Sequence, residues 1–136
     1  MVRILAICGS PRSASSNMAL LRTAAEAVSA DAEFAFAEGI FELPHFNPDL
    51  DGEGANPSVR VASWRAMVDA ADGVVISSPE YAHGVPGSLK NALDWLVSCP
   101  ELPGKPVLLL NASAAGGNFA QAALAETLRT MSLQVL

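Results

Sequence analysis

Short segments that are apolar at nearly every position alternate along this chain with segments whose apolar residues recur at helical spacing. A strand that is apolar on both faces belongs in a parallel sheet covered by helices on both sides. The alternation therefore predicts an α/β fold, a three-layer sandwich with a parallel doubly wound sheet and right-handed crossovers. The predicted strands span 3–8, 33–37, 73–78 and 106–110, with a fifth just begun at 134–136, and the predicted helices span about 16–29, 57–71, a stretch after 88, and 116–131.

Helical spacing also predicts which side chains face the sheet. The predicted inward residues of the four helices are Met18, Leu21, Ala25 and Val28; Val61, Trp64, Val68 and Ala71; Leu89, Leu93 and Leu96; and Phe119, Ala123 and Leu128. Because Trp64 and Trp95 occupy helical positions, they are expected in the core or at a subunit interface rather than against a cofactor.

Composition limits the classes of partner. A chain of 136 residues with 51% hydrophobic residues is enough for one packed domain, predicted over 1–136. A net charge of −6 with eight basic residues argues against a nucleic-acid partner, which requires a basic face. The apolar start is too short for a signal peptide and no segment reaches the length of a membrane span, so a cytoplasmic protein without a membrane partner is expected.

The cysteines, histidines and acidic residues give no sign of a metal site. Cys8 and Cys99 lie far apart without a Cys-x-x-Cys pair, so both are expected to be buried free thiols. His45 and His83 have no partner at ligand spacing. The acidic run 49–53 has its glycine at the fourth position, whereas a calcium loop requires it at the sixth. No metal is therefore expected.

The junction between the first strand and the first helix carries a functional signal. The apolar run 4–8 breaks into Gly9-Ser-Pro-Arg-Ser-Ala-Ser-Ser-Asn17, which delivers polar donors to the positive end of a helix. The turn lacks the three spaced glycines of a dinucleotide fingerprint and the Gly-Lys-Ser/Thr of a triphosphate loop, so it predicts a site for a terminal monophosphate. The alternative is that its serines only cap the helix. The donors available are Ser10, Arg12, Ser13, Ser15, Ser16 and Asn17.

The loop after the third strand is a second candidate. It spans 78–87, longer than a usual strand-to-helix connection, and long loops of this kind tend to carry function. Gly84 and Gly87 let main-chain N–H groups approach a flat ring, and Tyr81 offers an aromatic wall. In a doubly wound sheet the ligand crevice lies where the winding reverses, here between the first and third strands. The alternative is a rigid surface loop whose tyrosine packs on a neighbour.

Three motifs occur in order along nearly the whole chain. They are Gly9-Ser-x-Arg-x-x-Ser-x-Asn17, Leu43-Pro-x-Phe-Asn-Pro-Asp-Leu-Asp51 and Ser78-Pro-Glu-Tyr-x-His-x-x-Pro-Gly-x-Leu-Lys-Asn-Ala-Leu-Asp-Trp95. Together they resemble the NADPH-dependent FMN reductase family, which includes quinone, chromate and azo-dye reductases. The resemblance implies a flavodoxin-like fold that binds FMN and takes NADPH or NADH as co-substrate. It implies acceptors such as quinones, free flavin, azo compounds or chromate, and assembly into a homo-dimer or tetramer.

The resemblance also implies roles for individual residues. Ser10, Arg12, Ser15, Ser16 and Asn17 hold the FMN phosphate; Pro79, Glu80, Tyr81, Ala82 and His83 contact the isoalloxazine ring; and Ser113 and Gly116 touch the ribityl chain or ring edge. Tyr81 and His83 would also line the substrate pocket. No side chain is implied as an acid or base, because the flavin carries the hydride transfer.

The chain departs from the family pattern at two places. Many members have asparagine where Ala82 stands, so a ring contact at this position depends on backbone. The sequence ends at Leu136, before most of the last strand and the final helix usual in the family, which predicts either a partner over an exposed fourth strand or a C-terminally shortened piece. Two other functions stay open from the residues: a flavodoxin-type electron carrier that does not use NADPH, and an FMN-binding protein without activity.

Overall fold

The computed structural model describes all 136 residues, with five strands and four α-helices. The strands are β1 (Val2–Cys8), β2 (Ala32–Phe36), β3 (Gly73–Ser77), β4 (Pro106–Leu110) and β5 (Gln134–Val135), and the helices are α1 (Ser16–Ala27), α2 (Val59–Asp69), α3 (Gly87–Asp94) and α4 (Asn118–Thr130). Two 3-10 turns, Ile40–Glu42 and Pro48–Leu50, lie between β2 and α2. The predicted bounds lie within about two residues of these, so the predicted element order is confirmed.

The five strands form one parallel sheet in the order β2-β1-β3-β4-β5. The chain moves from β1 outward to β2, crosses back to β3 on the other side of β1, and then continues outward to β4 and β5. The winding therefore reverses between β1 and β3, as predicted. Cys8, the last residue of β1, is paired with Ser77, the last residue of β3, so the two following loops begin side by side. This is the flavodoxin-like strand order, and the expected fold class is confirmed.

The helices cover the two faces of the sheet unequally. The main core packs α2, α3 and α4 on one face, whereas α1 covers the other face through a smaller cluster around Leu21. Trp64 and Trp95 are fully buried in the main core, and each indole N–H donates to a backbone carbonyl at 2.8 Å, that of Ala92 and that of Pro44 respectively. Of the two predicted places, the core and a subunit interface, both tryptophans occupy the core. None of the helices has the length and apolar character that a membrane crossing requires.

The predicted inward face of α4 is wrong for Phe119 and Ala123 and confirmed for Leu128. Phe119 is 60% exposed and Ala123 is exposed as well, whereas the buried stripe of the helix is Ala120, Leu124 and Leu128. The two stripes share Leu128 and differ by one residue at their other two positions, in an alanine-rich helix whose leucines fill the core. The predicted inward residues of α2 and α3 are all buried, while in α1 only Leu21 is buried and its companions are half-buried.

The fifth strand is short. Only Gln134 and Val135 pair with β4, opposite Pro106 and Val107, so the expectation of a strand that is barely begun is confirmed. Leu108 follows the paired residues of β4 and lies on the face of the sheet that α1 covers, where it is 41% exposed. The fourth strand therefore presents apolar surface at Leu108, but it is not the sheet edge, because β5 pairs with its first two residues.

The two cysteines differ in their surroundings. Both are free, and Cys8 is buried as predicted, but Cys99 is only half-buried. Burial raises the pKa of the Cys99 thiol, which keeps it protonated near neutral pH.

The carboxyl end of α2 is capped by Lys105, a residue from a distant part of the chain. The Lys105 ammonium donates to the carbonyls of Val68 at 2.7 Å and Ala71 at 2.5 Å, and α2 has no basic residue of its own in its last turn. We expect Lys105→Met to lower the free energy of unfolding by about 1 kcal/mol, because it removes the cation but keeps most of the aliphatic stem. Urea unfolding monitored by circular dichroism measures this.

Lys90→Met is the matched control for this prediction. Lys90 pairs only with Asp94 on an exposed helix face, and such a pair contributes at most about 0.5 kcal/mol. Equal destabilisation by the two substitutions would show that general charge, not the cap, accounts for the effect.

Candidate functional site

The loops that leave β1, β3 and β4 surround a cavity of about 190 Å³ at the carboxyl ends of these strands. Its lining residues are Ser10, Arg12, Ser15, Ser16, Asn17, Pro79, Glu80, Tyr81, Ala112 and Ser113. All of them except Ala112 belong to the site expected from the sequence. Ala82, His83 and Gly116, also expected there, do not line the cavity. Ala112 has no side-chain chemistry to mark it, and its only signal is its place just after the predicted fourth strand.

The first wall of the cavity is the anion loop, residues 9–16. Ser15 is the N-cap of α1, and its hydroxyl oxygen accepts from the N–H groups of Asn17 at 3.2 Å and Met18 at 3.3 Å. The Ser10 hydroxyl accepts from Arg12 N–H at 3.3 Å and shapes the turn. Ser15 therefore has the ordinary role of a helix cap. This cap uses the N–H groups of Asn17 and Met18 and leaves the other donors of the loop available.

The anion loop also gives its end of the cavity a positive potential. Arg12 is the only basic residue in the lining, its side chain is exposed, and it takes part in none of the four ion pairs of the chain. The first turn of α1 contains no acidic residue to offset the helix dipole. An anion is therefore favoured here despite the net negative charge of the whole chain.

The second wall is the ring loop, residues 78–87, which contains a tight turn. Tyr81 and Gly84 exchange two backbone hydrogen bonds of 3.0 and 2.9 Å, and the two residues between them, Ala82 and His83, have φ angles of 50° and 59°. Left-handed backbone at both central positions is the type I′ turn, in which Asn-Gly is preferred. Asparagine at position 82 would therefore suit this backbone, independently of any ring contact.

Ala82→Asn is expected to stabilise the protein. The left-handed conformation costs an ordinary residue about 1–2 kcal/mol and asparagine less, so we expect a gain of up to about 1 kcal/mol and a rise of a few degrees in Tm. Differential scanning calorimetry measures this. Ala82→Val should have the opposite sign because a β-branched residue tolerates positive φ poorly; a lower Tm for both variants would contradict the turn assignment.

Two side chains of the ring loop contact α4, Glu80 from the cavity lining and His83 from outside it. The Glu80 carboxylate accepts from Ala120 N–H at 2.8 Å and so caps the amino end of α4, whose N-cap residue, Gly117, has no side chain. The His83 ring stacks on Phe119 with centroids 4.2 Å apart and planes 15° apart. These two contacts hold the ring loop against α4. Phe119, which was predicted to face the sheet, is exposed and forms one of them.

The third wall, residues 111–117, folds around Asn111. The Asn111 side-chain oxygen accepts from Ser113 N–H at 2.8 Å, and its NH₂ group donates to the carbonyl of Gly116. Ser113 reaches the cavity, whereas Gly116 closes the turn behind it with a φ of 91°. The structure thus brings Ser113 to the site and gives Gly116 a conformational role.

The segment 43–51, the second motif of the sequence, packs against α3. Asn91 accepts from Phe46 N–H at 2.8 Å and donates to the carbonyl of Pro44 at 2.9 Å. Trp95 donates to the same carbonyl and meets the Phe46 ring edge-on at 5.0 Å. The motif residues of this segment therefore hold α3 and its last residues in place.

Asp51 fixes the far end of this segment. It accepts hydrogen bonds of 2.8 Å from Arg65 on α2 and from Ser98 after α3. Burial raises the pKa of the Asp51 carboxyl, but the hydrogen bonds from Ser98 and Arg65 and the Arg65 charge outweigh it and hold the pKa below its ordinary value. Asp51 therefore stays ionised and structural, away from the cavity.

Comparison with known proteins agrees with this geometry. A family model for NADPH-dependent FMN reductases matches residues 2–136. The chain is 37% identical over 114 residues to a quinone reductase of Escherichia coli (strain K12), an alignment that covers 82% of this chain and 60% of that protein. It is 38% identical over 123 residues to an NAD(P)H-dependent FMN reductase of Pseudomonas aeruginosa, covering 89% of this chain and 64% of that one. The chain thus spans less than two thirds of the length of these relatives.

Solved structures share the fold over the whole chain. The flavoenzyme FerB, an NAD(P)H:(acceptor) oxidoreductase from Paracoccus denitrificans, superposes with a TM-score of 0.86 and 26% identity, covering 100% of this chain and 75% of that one. With a family match over residues 2–136 and relatives above 35% identity, the chain belongs to the NADPH-dependent FMN reductase family.

Proposed function

We propose that this chain forms the FMN site of an NAD(P)H-dependent reductase whose acceptors are small molecules such as quinones, free flavin, azo compounds or chromate. The observation that carries the proposal is the cavity at the point where the sheet reverses its winding, with hydroxyl, amide and guanidinium donors from the anion loop on one side and Tyr81 on the other. Family membership supports the same cofactor and co-substrate.

The residues present fit an FMN phosphate at the anion loop. A terminal phosphate monoester carries up to two negative charges and three free oxygens, and it requires several donors at a positive potential. Arg12 supplies a charged fork, Asn17 an amide, and Ser10 and Ser16 hydroxyls, beside the amino end of α1. A carboxylate inside this part of the cavity would oppose the phosphate, and the only acid in the lining, Glu80, is directed to the N–H of Ala120.

The chain's part in the reaction is to bind and orient. The chemistry that bound FMN supplies is transfer of a hydride from NADPH or NADH and of two electrons onward to the acceptor. Tyr81, 44% exposed at the rim, presents an aromatic face beside the cavity, and the His83–Phe119 stack stands next to it. We assign these side chains to the substrate pocket, where flat acceptors pack against aromatic surface.

The wider setting follows from the same proposal. We propose a cytoplasmic protein, which agrees with two free cysteines and no disulfide. We propose a homo-dimer or tetramer in which the exposed Tyr81 and Phe119 are covered, since exposed aromatic residues beside a site are typical of interfaces. Sedimentation equilibrium of the protein tests the assembly.

An absorbance titration with FMN, followed by NADPH oxidation in the presence of a quinone, tests the proposed function. Saturable binding with a perturbed flavin spectrum and steady NADPH consumption that depends on the quinone are expected. Binding without NADPH consumption would favour the electron carrier, and a sample that stays colourless and leaves the flavin spectrum unchanged would overturn the proposal. NADH in place of NADPH measures the co-substrate preference.

A further inference from the structure

We propose that Ser77 positions Asn17 for the phosphate, a role that rests on the proposed FMN site. Ser77 is the last residue of β3, is fully buried and does not line the cavity. Its hydroxyl donates to the side-chain oxygen of Asn17 at 2.8 Å, across sixty residues of sequence. The sequence of the anion loop alone gives no reason to expect a hydroxyl at the end of β3.

The hydrogen bond decides which end of the Asn17 amide faces the cavity. Asn17 is 93% buried, and its amide has one accepting oxygen and one donating NH₂ group. Because the oxygen is held by Ser77, the NH₂ group is turned the other way. The NH₂ group donates no hydrogen bond within the chain. Because every fully buried side-chain nitrogen of the chain has a hydrogen-bond partner, the NH₂ group is not fully buried. We therefore infer that it is open to the cavity that Asn17 lines.

The orientation matters because the two ends of the amide have opposite polarity. The NH₂ group donates to a phosphate oxygen, whereas the amide oxygen would repel it and leave both acceptors unpaired. Without the Ser77 hydroxyl the amide is free to rotate, and binding has to select the productive orientation. Ser77 is thus a positioning residue that acts through Asn17.

Ser77 also contacts the opposite end of the anion loop. Its backbone carbonyl accepts from Gly9 N–H at 2.8 Å, so one residue of β3 touches both the first residue of the loop and Asn17, just beyond its last residue. A side-chain substitution removes only the contact with Asn17, since the carbonyl is unchanged. Ser77→Ala therefore tests the contact with Asn17 without breaking the backbone link between β3 and the anion loop.

A double-mutant cycle on FMN affinity tests the proposal. We expect Ser77→Ala to raise the Kd for FMN about five- to tenfold, the effect of one lost neutral hydrogen bond. In the Asn17→Ala background the same substitution is expected to change Kd less than about twofold, because there is no amide left to orient. Equal losses of affinity in both backgrounds would overturn the proposal.

Riboflavin separates positioning from general damage to the site, because it lacks the phosphate. Ser77→Ala should leave riboflavin affinity unchanged while weakening FMN; parallel losses for both ligands would show that the hydroxyl only supports the fold. Ser98→Ala is the control and should leave FMN affinity unchanged, since it also removes a hydroxyl that donates to a side-chain oxygen at 2.8 Å, that of Asp51, outside the cavity lining. If the wild-type protein binds no FMN, the proposed function fails; if it binds FMN and Ser77→Ala binds equally well, only the positioning role fails.

Discussion

Arg12→Ala is expected to weaken FMN binding by about 1.5–3 kcal/mol, the range of a hydrogen bond to a charged group. Arg12 supplies the only positive side chain of the cavity and takes part in no ion pair of the chain, so its removal should cost binding and leave folding nearly unchanged. Fluorescence titration of FMN, together with a urea unfolding curve of the apoprotein, measures both quantities.

Arg22→Ala is the matched control because Arg22 is likewise exposed, on α1 and outside the cavity lining. It changes the net charge equally and should alter FMN affinity by less than about 0.5 kcal/mol. Arg12→Lys should recover part of the affinity, since it keeps the charge but loses the bidentate fork. Equal FMN affinity for wild type and Arg12→Ala would refute the assignment of Arg12 to the phosphate.

The fold is largely readable from the sequence because parallel strands buried on both faces leave an unbroken apolar run. Segment 73–78 is one such run, and the structure has β3 at Gly73–Ser77 with its last four residues buried. The sequence did not predict which face of α4 is buried, because Phe119 and Leu124 belong to neighbouring apolar stripes of an alanine-rich helix. Tertiary packing decides between them: Leu124 and Leu128 lie in the main core, whereas Phe119 stacks on His83 of the ring loop.

The sequence predicts those site residues that stand next to each other in the chain. It does not predict those whose role depends on contacts between distant segments. The anion loop was predictable because hydroxyls, an amide and an arginine stand together at the start of a helix. Ala82 and His83 lie in consecutive sequence with Tyr81, yet a two-residue turn carries them away from the cavity. Ser77 gave no signal, since nothing in its neighbourhood shows that its hydroxyl meets Asn17.

Gly9→Ala is expected to lower the free energy of unfolding by about 1–3 kcal/mol, the usual effect of overpacking, and to weaken FMN binding at the same time. A β-carbon at Gly9 would lie 2.6 Å from the Ser78 hydroxyl oxygen, 2.8 Å from the Ser78 β-carbon and 3.0 Å from a methyl group of Leu89. Glycine is thus required at position 9 because the chain after β1 lies too close to Ser78, the first residue of the ring loop, to admit a side chain. Urea unfolding and FMN titration of the same variant measure the two effects.

Gly87→Ala is the matched control, since a β-carbon there meets nothing within 4 Å, and stability should stay equal or rise slightly. Ser78→Gly should rescue Gly9→Ala, because it removes two of the three close atoms and leaves only the movable end of Leu89. The rescue should restore FMN affinity together with stability, because the displaced anion loop returns to its place beside β3. If the double variant stays as unstable as Gly9→Ala alone, close approach of the two loops is not what requires glycine at position 9.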